Sequence, residues 1–169
     1  MFAVGARIVE IPGAAMKKPA PKRVLAIDYG RKRIGLAISD ELALIAQPLT
    51  TLVRTNRQND IRRLRQICRD REIARIVVGS PLHIRGETSP MSEEAARFAA
   101  RLRKESGIPV DLQDERLTSW EAGQMAAKLK SSSRPNRAPL DHLAAAIILR
   151  EYLEGKRGKP GHAAKNEKV

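Results

Sequence analysis

The chain has 169 residues, of which 42% are apolar and 30% charged, and this size and composition predict one globular domain. Its 32 lysines and arginines against 19 acids give a net charge of +13, which favours a polyanionic partner, although a merely well-solvated basic surface is the plainer alternative. The single cysteine excludes an intrachain disulfide and a cysteine-based zinc site, and no apolar run approaches the about 20 residues that span a bilayer.

The two ends of the chain differ in composition from its middle. Residues 1–22 are rich in glycine and proline without a sustained period, and we interpret them as a flexible extension in which Met16 is an alternative start. Charged residues interrupt the apolar stretch that a secretion signal needs, so we predict a cytoplasmic protein. Residues 155–169 are predicted to form a basic tail, which leaves 23–154 as the folded domain.

Strand and helix patterns alternate along this middle part. Pro48 places the third strand near a sheet edge, and Ser89 is the predicted N-cap of the second helix. Three strands joined by short turns, followed by helix–strand repeats, predict an α/β fold with a mixed five-stranded sheet, antiparallel first and then parallel. Hydrophobic periodicity predicts, in chain order, strands over 24–28, 34–39 and 47–53, a helix over 57–71, a strand over 75–79, a helix over 90–105, a strand over 108–114, a helix over 118–129 and a last helix that opens at Pro139.

Asp28 ends the first apolar run, and Gly30 follows it two residues later. A carboxylate at the end of a buried strand needs a cation, a metal or several hydrogen bonds to offset its desolvation. The glycine allows a tight turn that a phosphate or a hydrated metal can approach closely. Asp28 is therefore a candidate metal ligand, and the alternative is that it caps a turn between two strands.

Glu115 and Asp141 are further acids at the ends of predicted elements. Glu115 follows Asp114 at the end of the fifth strand, and alternation alone does not decide which of these two acids points to a site. The next residue, Arg116, either contacts substrate phosphate or pairs with a neighbouring acid. Asp141 lies in the first turn of the last helix, where the helix dipole favours an acid in any case, by about 0.3–1 kcal/mol. Taken together, carboxylates on three separate elements of a strongly basic protein predict a metal-dependent nuclease.

Four segments of the chain carry longer motifs: LAIDYGRKRIGLAISD (25–40), IVVGSPLHIRGETS (76–89), DERLTSWEA (114–122) and LDHLAAAIILREYL (140–153). In this order they resemble the YqgF/RuvX family of proposed pre-16S rRNA nucleases, which are related to Holliday-junction resolvases of the ribonuclease-H-like fold. The resemblance covers nearly everything between residues 24 and 153.

The resemblance implies a ribonuclease-H-like sheet of three antiparallel strands followed by parallel strands, flanked by helices. It also implies that Asp28, Glu115 and Asp141 come together as catalytic residues and as ligands of Mg²⁺ or Mn²⁺. In such a site, substrate phosphates would be held by the turn after the first strand and by nearby cations, namely Gly30, Lys32, Arg33 and Arg116.

Three departures from the family pattern concern substrate contacts and the number of metal ions, and leave the fold expectation unchanged. Ser80 stands where the family usually has a leucine, and residues 83–85 (His-Ile-Arg) replace a loop that typically contains asparagine. The last helix shows one evident acid, Asp141, where the resolvase relatives usually have two.

The predicted function is hydrolysis of phosphodiester bonds, with precursor 16S rRNA, trimmed near its 5′ end, as the substrate that the resemblance implies. One alternative is a Holliday-junction resolvase acting on branched DNA, which would need a dimer to make paired cuts. The other is a non-catalytic nucleic-acid-binding or ribosome-binding protein with the same fold. An aromatic content of 3% disfavours a base-stacking single-strand binder. Monomer and homodimer both stay open, and the basic loop 130–138 is a candidate substrate clamp.

Overall fold

A five-stranded mixed sheet carries the described part of the fold. The computed structural model describes residues 23–80, 89–114 and 138–157. In chain order its elements are β1 (Arg23–Tyr29), β2 (Arg33–Ser39), β3 (Ala46–Val53), α1 (Arg57–Asp70), β4 (Ile73–Ser80), α2 (Pro90–Ser106), β5 (Val110–Asp114) and α3 (Ala138–Arg157).

The sheet has the strand order β3-β2-β1-β4-β5. Strand β1 pairs antiparallel with β2 and parallel with β4, while β2 pairs antiparallel with β3 and β4 parallel with β5. This arrangement confirms the predicted sheet, including the edge position of the strand that contains Pro48. An edge strand tolerates proline because its missing N–H removes no ladder hydrogen bond on the open side.

The predicted boundaries hold to within about two residues for the described elements. The predicted helix over 118–129 lies outside the described residues, as does the loop 130–138 except for Ala138, which begins α3. Helix α3 continues to Arg157, past the predicted end of the domain at residue 154. Within the described ranges, no helix combines the length and apolar character that crossing a membrane requires.

The two faces of the sheet are covered by different helices. Leu25 and Ile27 of β1 are completely buried on the face that packs against α1 and α2, where Cys68 of α1 is also buried. Val24 and Ala26 alternate with them and pack against α3 on the other face. Helices cover both faces of β1. A strand that is buried on both faces needs apolar residues at every position, which explains the continuous apolar run.

Helix α2 begins with a capping box. The Ser89 side chain accepts a hydrogen bond from the Ser92 amide at 3.0 Å, and the Ser92 hydroxyl accepts one from the Ser89 amide at 2.8 Å. Pro90 occupies the first turn, where its missing N–H costs nothing. This confirms the predicted start of the helix. Gly107, with φ of 71°, ends it in the left-handed conformation that glycine adopts without strain.

Helix α3 is fixed to the parallel half of the sheet by a polar network. The Tyr152 hydroxyl donates a short hydrogen bond to Asp111 of β5, and Nη1 of Arg75 in β4 lies 3.0 Å from the same carboxylate oxygen. Burial pushes the pKa of Asp111 upward, but the Tyr152 hydrogen bond and the Arg75 guanidinium outweigh it, so the net pKa lies below its usual value. Burial, and then the bond to Asp111, raise the pKa of Tyr152. The network therefore joins α3 to β4 and β5 through a charged carboxylate.

Candidate active site

Asp28 lies in a cross-strand row that contains little side-chain bulk. It is paired with Gly35 of β2 on one side and with Gly79 of β4 on the other. Gly35 is paired in turn with Thr51 of β3, and Gly79 with Gln113 of β5. Residues in register on neighbouring strands project from the same face of a sheet. The Asp28 carboxylate therefore stands between two positions without side chains.

The face from which Asp28 projects is the one covered by α3. Along β1, Asp28 falls on the same side as Val24 and Ala26, which pack against α3, whereas Leu25 and Ile27 face the other way. Asp28 is half-buried near the end of β1, where the residues that follow the apolar contacts with α3 are polar. The strand alternation thus puts the predicted catalytic acid on the face that the last helix covers.

Gly35 allows the first turn of α3 to contact β2 directly. A Cβ atom added to Gly35 would lie 1.9 Å from the carbonyl oxygen of Asp141 and 3.0 Å from the amide nitrogen of His142. Only a residue without a side chain permits this approach. Because Gly35 is paired with Asp28, the approach brings Asp28 and Asp141 to the same face and the same region of the sheet.

Arg33 and Asp141 form an ion pair at the start of α3. Nε of Arg33 lies 2.7 Å from Oδ2 of Asp141. Both atoms are buried, but their geometry is not that of a hydrogen bond, and neither atom has another hydrogen-bond partner in the described structure. The pair neutralises a half-buried acid, which is otherwise costly to desolvate. Arg33 is thus placed beside a predicted metal ligand; its predicted contact with substrate phosphate stays a prediction.

Two polar residues that the sequence did not predict as site residues lie close to this pair. Oγ1 of Thr51 and Nδ1 of His142 are 3.4 Å apart, and they link β3 to the residue that follows Asp141. Thr51 belongs to the same cross-strand row as Asp28. No local pattern signals this contact, because residues 51 and 142 are brought together only by the packing of α3 on β2 and β3.

The turn between β1 and β2 is closely packed. A Cβ atom on Gly30 would lie 2.6 Å from the carbonyl oxygen of Arg33, so the turn needs glycine at this position. The carbonyl of Gly30 accepts a hydrogen bond from Nη1 of Arg54 at 3.0 Å, and the carbonyl of Lys32 accepts one from the Arg54 amide at 3.0 Å. Lys32 is exposed, as a residue that contacts substrate would be.

The described residues supply part of a possible metal site. Within residues 23–80, 89–114 and 138–157, no group of three or more His, Cys, Asp or Glu residues is arranged to hold a metal ion. The other two predicted participants, Glu115 and Arg116, lie outside the described residues. Asp28 and Asp141 offer carboxylate oxygens, the donors that Mg²⁺ and Mn²⁺ prefer, and Oδ2 of Asp141 is a buried oxygen without a hydrogen bond. The donor chemistry of these two acids therefore suits a hard divalent cation.

Comparison with protein families places this chain among nucleases. A family model described as "RuvX: Holliday junction resolvase" matches residues 22–155, which include all the described elements except part of the last turn of α3. The match spans all four motifs and the predicted acids Asp28, Glu115 and Asp141.

Curated relatives match over most of their own length. A protein of Koribacter versatilis named "Putative pre-16S rRNA nuclease" is 43% identical over 145 residues, which is 85% of this chain and 94% of the relative. Relatives with the same name from Chloroflexus aurantiacus and Geobacillus kaustophilus are 41% and 42% identical and are covered over 92% and 99% of their length.

Solved structures support the fold. The chain resembles T. thermophilus RuvC in complex with a Holliday junction substrate with a TM-score of 0.55 and 17% identity, over 81% of this chain and 96% of that one. A second structure of Thermus thermophilus RuvC gives a TM-score of 0.50 at the same identity, over 80% and 96% of the two chains. At this level of identity the likeness concerns the fold, and it confirms the expected ribonuclease-H-like architecture.

Proposed function

The chain belongs to the RuvX family, and from this premise we propose that it is a metal-dependent nuclease that hydrolyses phosphodiester bonds in precursor 16S rRNA. The observation that carries the proposal is the contact of the first turn of α3 with Gly35, because it brings Asp141 to the row that contains Asp28. Two carboxylates from elements far apart in sequence then share one side of the sheet. A purely structural role would not require a half-buried acid between two glycines.

We assign Asp28, Asp141 and Glu115 as the residues that hold Mg²⁺ or Mn²⁺. The bound cation would supply an activated water and stabilise the charge that develops on the phosphate oxygens. We take Glu115 rather than Asp114 as the third acid, on the expectation that the alternation of β5 continues through residue 115. Asp111 and Gln113, the odd-numbered positions of β5, share the sheet face of Asp28, since they are paired with Val77 and Gly79 of β4.

Arg33 has two roles in this proposal. Without substrate it neutralises Asp141 through the 2.7 Å ion pair. When the cation and the phosphate are bound, the same guanidinium would donate hydrogen bonds to a phosphate oxygen, for which its planar set of donors is well suited. Gly30, Lys32 and Arg116 complete the proposed phosphate contacts. The net charge of +13 would draw a polyanionic substrate toward the site.

Precursor 16S rRNA is the proposed substrate because the relatives at 41–43% identity are named "Putative pre-16S rRNA nuclease". Such processing would take place in the cytoplasm during ribosome biogenesis, by either a monomer or a homodimer. The second candidate is resolution of branched DNA, which the description of the family model favours. It would require a homodimer, because two paired cuts across a junction need two active sites.

One experiment separates these functions. Purified protein with Mg²⁺ or Mn²⁺ is offered labelled precursor 16S RNA and a labelled four-way DNA junction, beside Asp28→Asn and the control Asp70→Asn. Asp70 is an exposed acid at the end of α1, remote from Asp28. We expect RNA cleavage by the wild type and by Asp70→Asn, and none by Asp28→Asn. Paired junction cuts would establish the second candidate instead, and full cleavage by Asp28→Asn would contradict both.

A further inference from the structure

An arginine-lined cavity lies on the opposite face of the sheet from Asp28. Its volume is about 340 Å³, which is within the range of small-ligand sites. It is formed where the end of β1 meets the starts of α1 and α2. Its lining includes four arginines and two acids, Asp60 and Glu94, so its charged side chains carry a net positive charge; the arginines are Arg31, Arg54, Arg57 and Arg97.

The inner wall of the cavity is held in place before any ligand arrives. Nε of Arg54 lies 2.9 Å from Oδ2 of Asp60, whose side chain is only 2% exposed. Nη1 of Arg54 donates to the carbonyl of Gly30, and its guanidinium lies 4.8 Å from the centre of the Tyr29 ring. Tyr29 packs in turn against Phe98 of α2. A guanidinium fixed in this way binds an anion without losing further side-chain entropy.

The outer rim is held much less firmly. Arg31 makes a two-point ion pair with Glu94, at 2.8 and 3.3 Å, but their side chains are 60% and 30% exposed. Arg97 pairs with Glu93 across one helical turn at 3.4 Å, again at the surface. Exposed pairs of this kind contribute little to stability. Their arginines can therefore turn from a carboxylate to a phosphate at low cost, and Arg is the side chain best suited to that exchange.

The cavity and the acidic site are connected through the β1–β2 turn. Asp28 and Tyr29 are consecutive in β1, and their side chains leave opposite faces of the sheet. Arg31 follows Asp28 by three residues, so their Cα atoms are at most about 10 Å apart. This separation is no longer than a few nucleotides of an extended single strand. A strand cut at Asp28 can thus pass over the turn and reach the cavity.

We propose that this cavity binds a backbone phosphate of the substrate strand, a few nucleotides from the bond that is cut. The inference rests on the proposed function for the position of the cut, whereas binding in the cavity does not require cleavage. The Arg54 guanidinium covers one face of the Tyr29 ring, so a base cannot stack on that face. The phosphate, rather than a base, is accordingly the group recognised, and the cavity would add affinity without reading sequence.

Helix α2 provides a matched pair of variants for the test. Arg97 and Arg101 lie one turn apart, and each forms an i,i+4 ion pair with a glutamate of the same helix, but only Arg97 lines the cavity. Arg97→Ala and Arg31→Ala are compared with Arg101→Ala, all in the Asp28→Asn protein, which we expect not to cut the probe. The probe is a labelled single-stranded RNA from the 5′ region of precursor 16S rRNA, titrated at several salt concentrations. Arg54 is left intact because its removal would leave the buried Asp60 carboxylate without its ion-pair partner.

We expect Arg97→Ala and Arg31→Ala each to weaken RNA binding roughly fivefold relative to Arg101→Ala. The slope of log K against log salt should fall by about 0.7 for each single-strand phosphate that the variant no longer neutralises. Equal affinity and slope in all three variants would overturn the inference, and so would weaker binding with an unchanged slope. If the cavity variants bind RNA more weakly although the wild-type protein cuts neither nucleic acid, the cavity inference stands and the proposed nuclease function fails.

Discussion

Replacing Gly35 by alanine should disturb the candidate active site strongly, although the substitution adds only one methyl group. The new Cβ would lie 1.9 Å from the carbonyl oxygen of Asp141, whereas real Cβ atoms essentially never come within 3.0 Å of another heavy atom. The first turn of α3 must therefore move by at least about 1.1 Å, the difference between these distances. The obstructing atoms belong to the backbone, so no side-chain rotation can relieve the overlap.

Two effects of opposite sign follow from this substitution. Loss of glycine flexibility in the unfolded chain favours folding by about 0.4–1 kcal/mol. Overpacking costs about 1–3 kcal/mol and should dominate, because the whole helix start has to shift. The same shift moves Asp141 relative to Asp28, and a misplacement of about 1 Å can reduce catalysis by about 100-fold. We therefore expect a stability loss of about 1–2 kcal/mol and a much larger loss of activity.

Urea unfolding and metal-dependent cleavage of precursor 16S RNA would measure the two losses separately. Gly155→Ala is the matched control, since Gly155 lies in α3 and a Cβ there would meet nothing within 4 Å. That variant should keep its activity and gain about 0.5–1 kcal/mol of stability from the better helix former. If Gly35→Ala is as stable and as active as Gly155→Ala, the close approach of α3 to β2 is refuted.

Two further predictions concern charged pairs. Asp111→Asn should cost about 1 kcal/mol at neutral pH, after allowance for solvent screening. The folded-state pKa of Asp111 lies below its usual 3.8, so its contribution is complete above that value and is lost as the pH falls through the folded-state pKa. In urea unfolding from pH 7 to about pH 2.5, the free energy of unfolding of the wild type should approach that of the variant. A difference in unfolding free energy that grows in acid would contradict this sign. Arg33→Gln should tighten Mn²⁺ binding, measured by calorimetry, because it removes a cation 2.7 Å from a proposed ligand, while cleavage of RNA falls. Weaker Mn²⁺ binding in Arg33→Gln would argue against Asp141 as a ligand.

Local sequence patterns were sufficient for the strands and helices that are described. The apolar run before Asp28 predicted a central strand because only a strand covered on both faces needs apolar residues at every position. Pro48 predicted an edge strand, and Ser89 with Pro90 predicted a helix start, since each has a backbone reason for its place. These signals act over a few residues and do not depend on how the elements pack.

The details of the site depended on contacts between distant elements and could not be predicted. The Arg33–Asp141 pair joins residues 108 positions apart, and it exists because α3 packs closely on Gly35. The Arg54–Asp60 pair is local in sequence, but its burial follows from the packing of α1 beside Tyr29 and Phe98. Alternation along β5 gives no side for Glu115, because the strand ends at Asp114 and Glu115 lies outside the described residues.

The central claim, that Asp28 and Asp141 hold one divalent cation, is tested most directly by Mn²⁺ binding to the protein without nucleic acid. Electron paramagnetic resonance would count free Mn²⁺ during titration of the wild type, Asp28→Asn, Asp141→Asn and the control Asp70→Asn. We predict that the first two variants each bind Mn²⁺ at least about tenfold more weakly, while Asp70→Asn binds as the wild type does. Wild-type Mn²⁺ affinity in both Asp28→Asn and Asp141→Asn would contradict the claim.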